Sequence, residues 1–393
     1  MGLRTSDDAG ASDPMPTTMT VAARPYAAGP PGAPTVLEAI LLVGGKGTRL
    51  RPLTLSCAKP MVPTAGVPFL THQLARAAAA GVTHVVLATS YRAETFSAHF
   101  GDGSQLGLRI DYVTETEPLG TGGGIRNVAD QLESGPDAPV VILNGDVLSG
   151  HDLADQVRVH VESGADVTLH LTEVEDPRAF GCVPVDESSR VLEFLEKTPD
   201  PPTNRINAGC YVFRRSLIDA IPAGRPVSVE RETFPGLLAD GAHVLGYVDS
   251  AYWLDLGTPA AFVQGSADLV LGRISSTALP GPTGESLVLE GADVAPDAKL
   301  SGGTVVGRGA VVASGAQVEA SVLLDGAVVE AGAVVRSSVV GAGARIGHDA
   351  VLDGVVVGDG ASVGPRNELL HGLRVWAGTE LAEGSVRFSS DAG

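Results

Sequence analysis

The chain has 393 residues, 46 Asp and Glu against 27 Lys and Arg, and a net charge of −19. That length can hold two or three domains, and the acidic balance argues against nucleic acid or an anionic membrane as partner. It leaves a charged small substrate open, because a Debye length of ~8 Å at physiological salt lets nearby cations decide.

Residues 1–35 are rich in Ala, Pro, Gly, Ser and Thr, with prolines at Pro14, Pro16, Pro25, Pro30, Pro31 and Pro34, and read as a disordered tail. This start has no unbroken apolar core of the secretory kind, and no later apolar run approaches the ~18 residues of a membrane span. From 36 to 275 strands and helices alternate. Strands are expected at 38–43, 82–89, 108–113, 138–143, 165–172 and 242–248, and helices at 69–80, 93–100, 122–132, 151–163, 229–239 and 258–271. The alternation predicts an α/β domain with a Rossmann-like, doubly wound, mostly parallel sheet, whose ligands sit beyond the carboxyl ends of the strands. The cysteines Cys57, Cys182 and Cys210 are dispersed, which fits a reducing cytoplasm.

After a linker at 276–289 the pattern changes to a period of six over 290–385. Apolar residues recur at Val294, Leu300, Val306, Val312, Val318 and Leu324, then at Val328, Val334, Val340, Ile346 and Leu352, then at Val357, Val363, Leu369, Val375 and Leu381. Glycine often follows the apolar position. This is the hexapeptide repeat of a parallel β-helix, expected with about 18 residues per coil and roughly five coils. Such prisms commonly pack on one another, so a homo-oligomer is expected.

One stretch concentrates chemistry. The apolar strand Ala39–Val43 runs into Gly44-Gly45-Lys46-Gly47-Thr48-Arg49-Leu50-Arg51-Pro52, with Lys59-Pro60 a few residues on. Glycines after a strand let backbone N–H groups approach an anion, and three cations follow. Lysine occurs only at Lys46, Lys59, Lys197 and Lys299, so its placement here is selective. A Walker loop would need Ser or Thr directly after the Gly-Lys pair, and Gly47 stands there instead. A dinucleotide fingerprint needs an immediate helix, which Pro52 and Pro60 oppose.

The stretch resembles the signature of sugar-1-phosphate nucleotidyltransferases. Further strings in the family's order carry the likeness: Glu117-Pro118-Leu119-Gly120-Thr121-Gly122-Gly123, Leu143-Asn144-Gly145-Asp146, Phe194-Leu195-Glu196-Lys197, Asn207-Ala208-Gly209 and Trp253-Leu254-Asp255-Leu256-Gly257-Thr258-Pro259. With the C-terminal repeats, which the family folds as a left-handed parallel β-helix, the whole is similar to the mannose-1-phosphate guanylyltransferases. The resemblance implies GTP and mannose 1-phosphate as substrates, Mg2+ as cofactor and a cytoplasmic enzyme.

It also implies roles. Arg49 and Lys59 are catalytic candidates, Arg49 for the β- and γ-phosphates and Lys59 for the α-phosphate. Leu42, Gly44, Gly45, Gly47, Thr48, Gly120 and Thr121 belong to the nucleotide site, with Gly120 admitting the purine. Guanine presents two adjacent donors that one carboxylate accepts. Glu115 and Glu117 flank the base-contacting turn, and Glu115 is favoured by position. Gly145, Gly181, Glu196, Lys197 and Asn207 belong to the sugar phosphate, and Asp146 and Asp255 to the metal. An Asp after a strand is ordinarily a turn or cap residue, so its context assigns it here. The family's Glu-Lys-Pro is Glu196-Lys197-Thr198-Pro199 in this chain, which leaves the turn after Lys197 open. Other bases (UTP, ATP, dTTP) with glucose 1-phosphate remain alternatives, as does a non-catalytic regulatory subunit that binds the sugar nucleotide.

Overall fold

The computed structural model describes residues 36–387, so the expected N-terminal tail lies outside the described residues. Four parallel strands form the centre of the first domain: β1 (Leu37–Leu42), β2 (Val82–Thr89), β3 (Arg109–Thr114) and β4 (Pro139–Asn144), in the order β3-β2-β1-β4. The order reverses between β1 and β4, and the loops after these two strands flank the crevice where doubly wound sheets bind ligands. Side chains alternate across the sheet. Ala39, Leu41, Val85, Leu87, Val141 and Leu143 pack under α1 (Phe69–Ala79), α2 (Ala93–Phe100) and α3 (Leu153–Ser163). Ile40, Val86, Val140 and Ile142 join Ile125, Tyr211, Phe213 and Phe234 on the other face.

The sheet continues beyond β4 through a strand the alternation did not predict. This ten-residue strand, Arg205–Arg214, runs antiparallel to β4 and to Val167–Glu173, and a bulge between Asn207 and Tyr211 breaks its register. The bulge carries the Asn207-Ala208-Gly209 string, whose glycine and asparagine hide an otherwise apolar, aromatic strand. The helix expected at 122–132 starts earlier, at Gly120–Asn127, and gives way to a 3-10 turn at Ala129–Gln131.

The second domain is the expected left-handed parallel β-helix, with three sheets of six, six and five strands stacked coil on coil. Its first strand, Ser286–Val288, already pairs with Thr304–Val306, inside the stretch read as linker. The period is shorter than expected. Asp293 pairs with Val311 and Ser362 with Glu380, eighteen apart, but Val311 pairs with Val328 and Val334 with Val351, seventeen apart. One corner of the middle coils has lost a residue. Ala320 and Ser337 turn it with φ of 42° and 45°. Buried Ser321 and Ser338 stand behind them, each hydroxyl accepting a backbone N–H from the next coil, Ser338 at 3.1 Å and Val355 at 2.9 Å. The inward residues here are therefore Leu323, Val329 and Val335, not Leu324, Val328 and Val334.

The domains share a core. Outward-facing Val305, Val322, Val339 and Val356, one per coil, pack against Leu50, Leu53, Phe69 and residues of the helix Pro259–Val270. Among the described residues no helix is long and apolar enough to cross a membrane.

Candidate active site

At the carboxyl ends of β1 and β4 lies an open cleft of about 610 Å³. Leu42, Gly44, Gly45, Lys59, Glu115, Gly120, Thr121, Gly145 and Asp146 line it, so most of the predicted nucleotide and phosphate residues converge. Gly145 must be glycine because β1 passes behind it: its N–H donates to the Leu42 carbonyl at 2.9 Å, and a Cβ would stand 2.5 Å from that oxygen.

Asp146 and Asp255, remote in sequence, are joined by a two-stranded ladder. Val147–Ser149 pairs antiparallel with Trp253–Asp255, matching Asp255 with Val147, and the Leu256 N–H donates to the Asp146 carbonyl at 2.9 Å. Lys59 Nζ lies 2.7 Å from Asp146 Oδ2. Burial raises the Asp255 pKa above the ordinary carboxylate range, and the neighbouring Asp146 charge adds to it, against Lys59 and Arg49. Asp255 Oδ1 is buried without a partner. Two adjacent carboxylates, one with an orphaned oxygen, fit a divalent cation completed by substrate phosphates. Arg49 is exposed on a 3-10 turn (Thr48–Leu50) and reaches this cluster: a Cβ on Gly257 would fall 2.5 Å from its Nη2 and 2.9 Å from Asp255 Oδ1.

The glycine loop is held from inside. The Thr54 hydroxyl donates to the Gly47 carbonyl at 2.8 Å, and Gly47 has φ 56° with Lys59 and Thr54 too close for a side chain. The Gly45 N–H donates to Ser90 Oγ at 3.1 Å, so that donor is engaged within the protein. Gly120 is required by the backbone itself: with φ 69°, its Cβ would meet the Val227 carbonyl at 2.7 Å. The Thr121 hydroxyl is also committed away from the cleft, donating to Glu230 at 2.7 Å and accepting from the Val229 N–H at 2.9 Å.

Glu115 is half-buried and Glu117 exposed. Burial raises the Glu115 pKa, with the Leu119 N–H opposing weakly.

Of the sugar-phosphate residues only Gly145 lines this cleft; Gly181, Glu196 and Asn207 lie on adjoining strands, with Lys197 directly after one of them. Gly181 pairs with Glu196 across a short ladder, and its Cβ would strike the Phe194 ring at 2.9 Å. Lys197 is exposed, takes φ 53°, and lies 3.5 Å from Glu196. Asn207 is fixed by the bulge: its amide donates to the Tyr211 hydroxyl at 2.8 Å and its carbonyl accepts the Gly209 N–H at 3.1 Å.

Several cleft residues escaped the sequence reading. Ser90 and Tyr91 follow β2 directly, and the rule that ligands sit beyond parallel strand ends would have found them. Lys46 and Asn144, noted in the sequence but given no role there, also line the cleft, and Asn144 borders Gly209 as well.

Comparison with known proteins identifies the family. A nucleotidyl transferase family model matches residues 38–270, and a GMPPB C-terminal domain model matches 283–382. A mannose-1-phosphate guanylyltransferase of Mycobacterium tuberculosis is 62% identical over 356 residues, covering 90% of this chain and 98% of the relative. A probable mannose-1-phosphate guanylyltransferase 3 of Oryza sativa is 37% identical, covering 73% and 80%. Among solved structures, HddC from Yersinia pseudotuberculosis complexed with GMP-PN superposes with a TM-score of 0.50 at 27% identity, over 59% of this chain and 98% of HddC. The chain belongs to the mannose-1-phosphate guanylyltransferase family of nucleotidyl transferases.

Proposed function

We propose that the protein transfers GMP from GTP to mannose 1-phosphate, releasing pyrophosphate, with magnesium held by Asp146 and Asp255. The observation that carries this reading is the Lys59–Asp146–Asp255 cluster at the cleft, in a chain 62% identical to a named guanylyltransferase. A phosphate monoester has its second pKa near ~6, so the attacking oxygen needs no general base. What the reaction needs is alignment of two anions and neutralisation of the leaving pyrophosphate. Bound magnesium supplies Lewis-acid charge to the phosphates at the two carboxylates. Lys59 and Arg49 add fixed positive charge to the same end of the cleft. Arg49 meets the outer phosphates by leaving Gly257, and its fork suits two oxygens. Glu196, Lys197 and Asn207 orient the sugar phosphate on the neighbouring strands.

Glu115 accepts the guanine N1–H and N2 amine. It must be ionised to do so, and its raised pKa makes it protonate sooner than an ordinary carboxylate as pH falls. KM for GTP should therefore climb on the acid side, and Glu115→Gln should flatten that climb. A second proposal concerns assembly: exposed faces of the β-helix pair the chain into a homo-oligomer, and sedimentation showing only a 40.0 kDa species would count against it.

The decisive assay measures pyrophosphate release from GTP, ATP, UTP and dTTP, each with mannose 1-phosphate or glucose 1-phosphate, with and without magnesium. GTP with mannose 1-phosphate is expected to dominate and to require the metal. Dominance of another pair would discard the base and sugar assignments. Sugar-nucleotide binding without turnover would favour a regulatory subunit, although Arg49, Lys59, Asp146, Glu196, Lys197 and Asp255 are all present.

A further inference from the structure

We propose that the β-helix takes part in the transfer reaction, with Arg374 and Asp359 as positioning residues for the loop that presents Arg49. The inference rests on the guanylyltransferase reading and adds a task for the second domain.

The loop between Gly47 and Cys57 presents Arg49 toward Gly257 and Asp255 and packs on the β-helix. It consists of a 3-10 turn, Thr48–Leu50, and a single helical turn, Leu53–Ser56. Isolated turns of this length do not hold their shape in water, because helix nucleation is unfavourable. Neighbours must impose the conformation.

The β-helix supplies much of that constraint. Leu50 and Leu53, next to Arg49 in the chain, are 1% and 2% exposed in the cluster that contains Val339 and Val356. The Arg374 guanidinium donates to the Arg51 carbonyl at 2.8 Å, and the Ser56 hydroxyl donates to Asp359 Oδ2. Asp359 is itself fixed, since its Oδ1 accepts the Ala342 N–H of the preceding coil at 2.9 Å. Pro52 lies over Gly358, where a Cβ would come within 3.1 Å of its ring. Within the first domain, Arg92 adds one donor, to the Leu55 carbonyl at 2.7 Å.

The sugar-phosphate residues Gly181, Glu196 and Asn207 stand on Gly181–Cys182, Leu195–Glu196 and Arg205–Arg214, none of which holds a residue of this brace. Loosening the loop should therefore weaken productive GTP binding and spare mannose 1-phosphate. A role limited to holding the domains together would not separate the two substrates.

The test compares full-length Arg374→Met and Asp359→Asn with Arg336→Met, a control on an exposed β-helix arginine paired with Glu319. Steady-state pyrophosphate release and thermal midpoints are measured for each. Loss of one exposed hydrogen bond of ordinary strength predicts that Arg374→Met raises KM for GTP roughly five- to tenfold. KM for mannose 1-phosphate and the melting midpoint should stay at the control's values. Asp359→Asn should act in the same direction, and Arg374→Lys should restore part of the loss. Arg374→Met kinetics equal to the control's would overturn the proposal. So would a parallel rise in both KM values with a lowered midpoint, which is the signature of a merely structural contact. If the unsubstituted enzyme releases no pyrophosphate, the guanylyltransferase reading fails by itself. GTP affinity of the same variants, by calorimetry, then decides the brace.

Discussion

Two carboxylates, one on strand β1 and one in the cluster beyond its carboxyl end, are in opposite states. At the amino end of β1, Glu38 is fully buried, yet it accepts from the N–H groups of Glu133 and Ser134 and from His84, which also bridges to Asp111. Burial alone would raise the Glu38 pKa, but these bonds hold it down at about 2. Beyond the carboxyl end, Asp255 is partly buried beside a like charge, keeps an orphaned oxygen, and has its pKa raised. The same functional group, a carboxylate, is satisfied where it maintains the fold and left wanting where the proposed metal would complete it. Burial pushes both pKa values up; partner completeness decides which one stays up.

The contrast is sharpest under substitution. Glu38→Gln breaks a buried ion pair and should cost about 3–5 kcal/mol of stability while leaving kcat nearly unchanged, which chemical denaturation and the pyrophosphate assay check together. Asp255→Asn should do the reverse. It removes like-charge repulsion, so the midpoint should hold or rise, while activity falls at least about a hundredfold, or ~2.7 kcal/mol of barrier. A large loss of stability in Asp255→Asn would break the comparison. Lys59→Ala should lower activity roughly ten- to a hundredfold and lower the magnesium concentration needed for half activity, since it removes the cation paired with Asp146.

Acidity tests the amino end alone. Glu38, lowered in the folded state, contributes stability above its unfolded value of about 4.3 and loses it as pH falls toward about 2. Burial alone would lower the His84 pKa, but its bonds to Glu38 and Asp111 raise it. Its contribution is therefore full below its unfolded value of about 6.5 and lost as pH rises through the folded pKa. The stability supplied by this cluster should peak between about 4.3 and 6.5, and Glu38→Gln should flatten that peak. The smallest expected effect lies in the β-helix, where Ser338→Ala removes a buried acceptor and should cost about 1–2 kcal/mol with no change in KM.

Much of this was legible in the sequence because the signals are local. The glycine loop, the strand-ending Asp146 and the six-residue period each need only a short window. The Rossmann-like sheet followed from alternation, and its switch point places Gly44 and Asp146 on one crevice. What escaped depends on contacts between distant segments. The strand Arg205–Arg214 was hidden by a bulge whose residues were read as a motif. Gly120 and Gly145 look like ligand glycines, but the nearest obstacles are the carbonyls of Val227 and Leu42. A period count shows the phase slipping between runs but misplaces the seventeen-residue coils, because a buried serine and a left-handed residue together replace the missing position.

Those shortened coils have an architectural consequence. Strands in successive coils stack ~4.8 Å apart, so the β-helix is graduated like a ruler, with Asp359 and Arg374 at fixed marks. The interface valines repeat once per coil and are chemically alike. Excising a whole seventeen-residue unit would therefore leave the prism packed and still docked. It would, however, bring the wrong mark under the Arg49 loop, so the number of coils is a dimension of the catalytic machine.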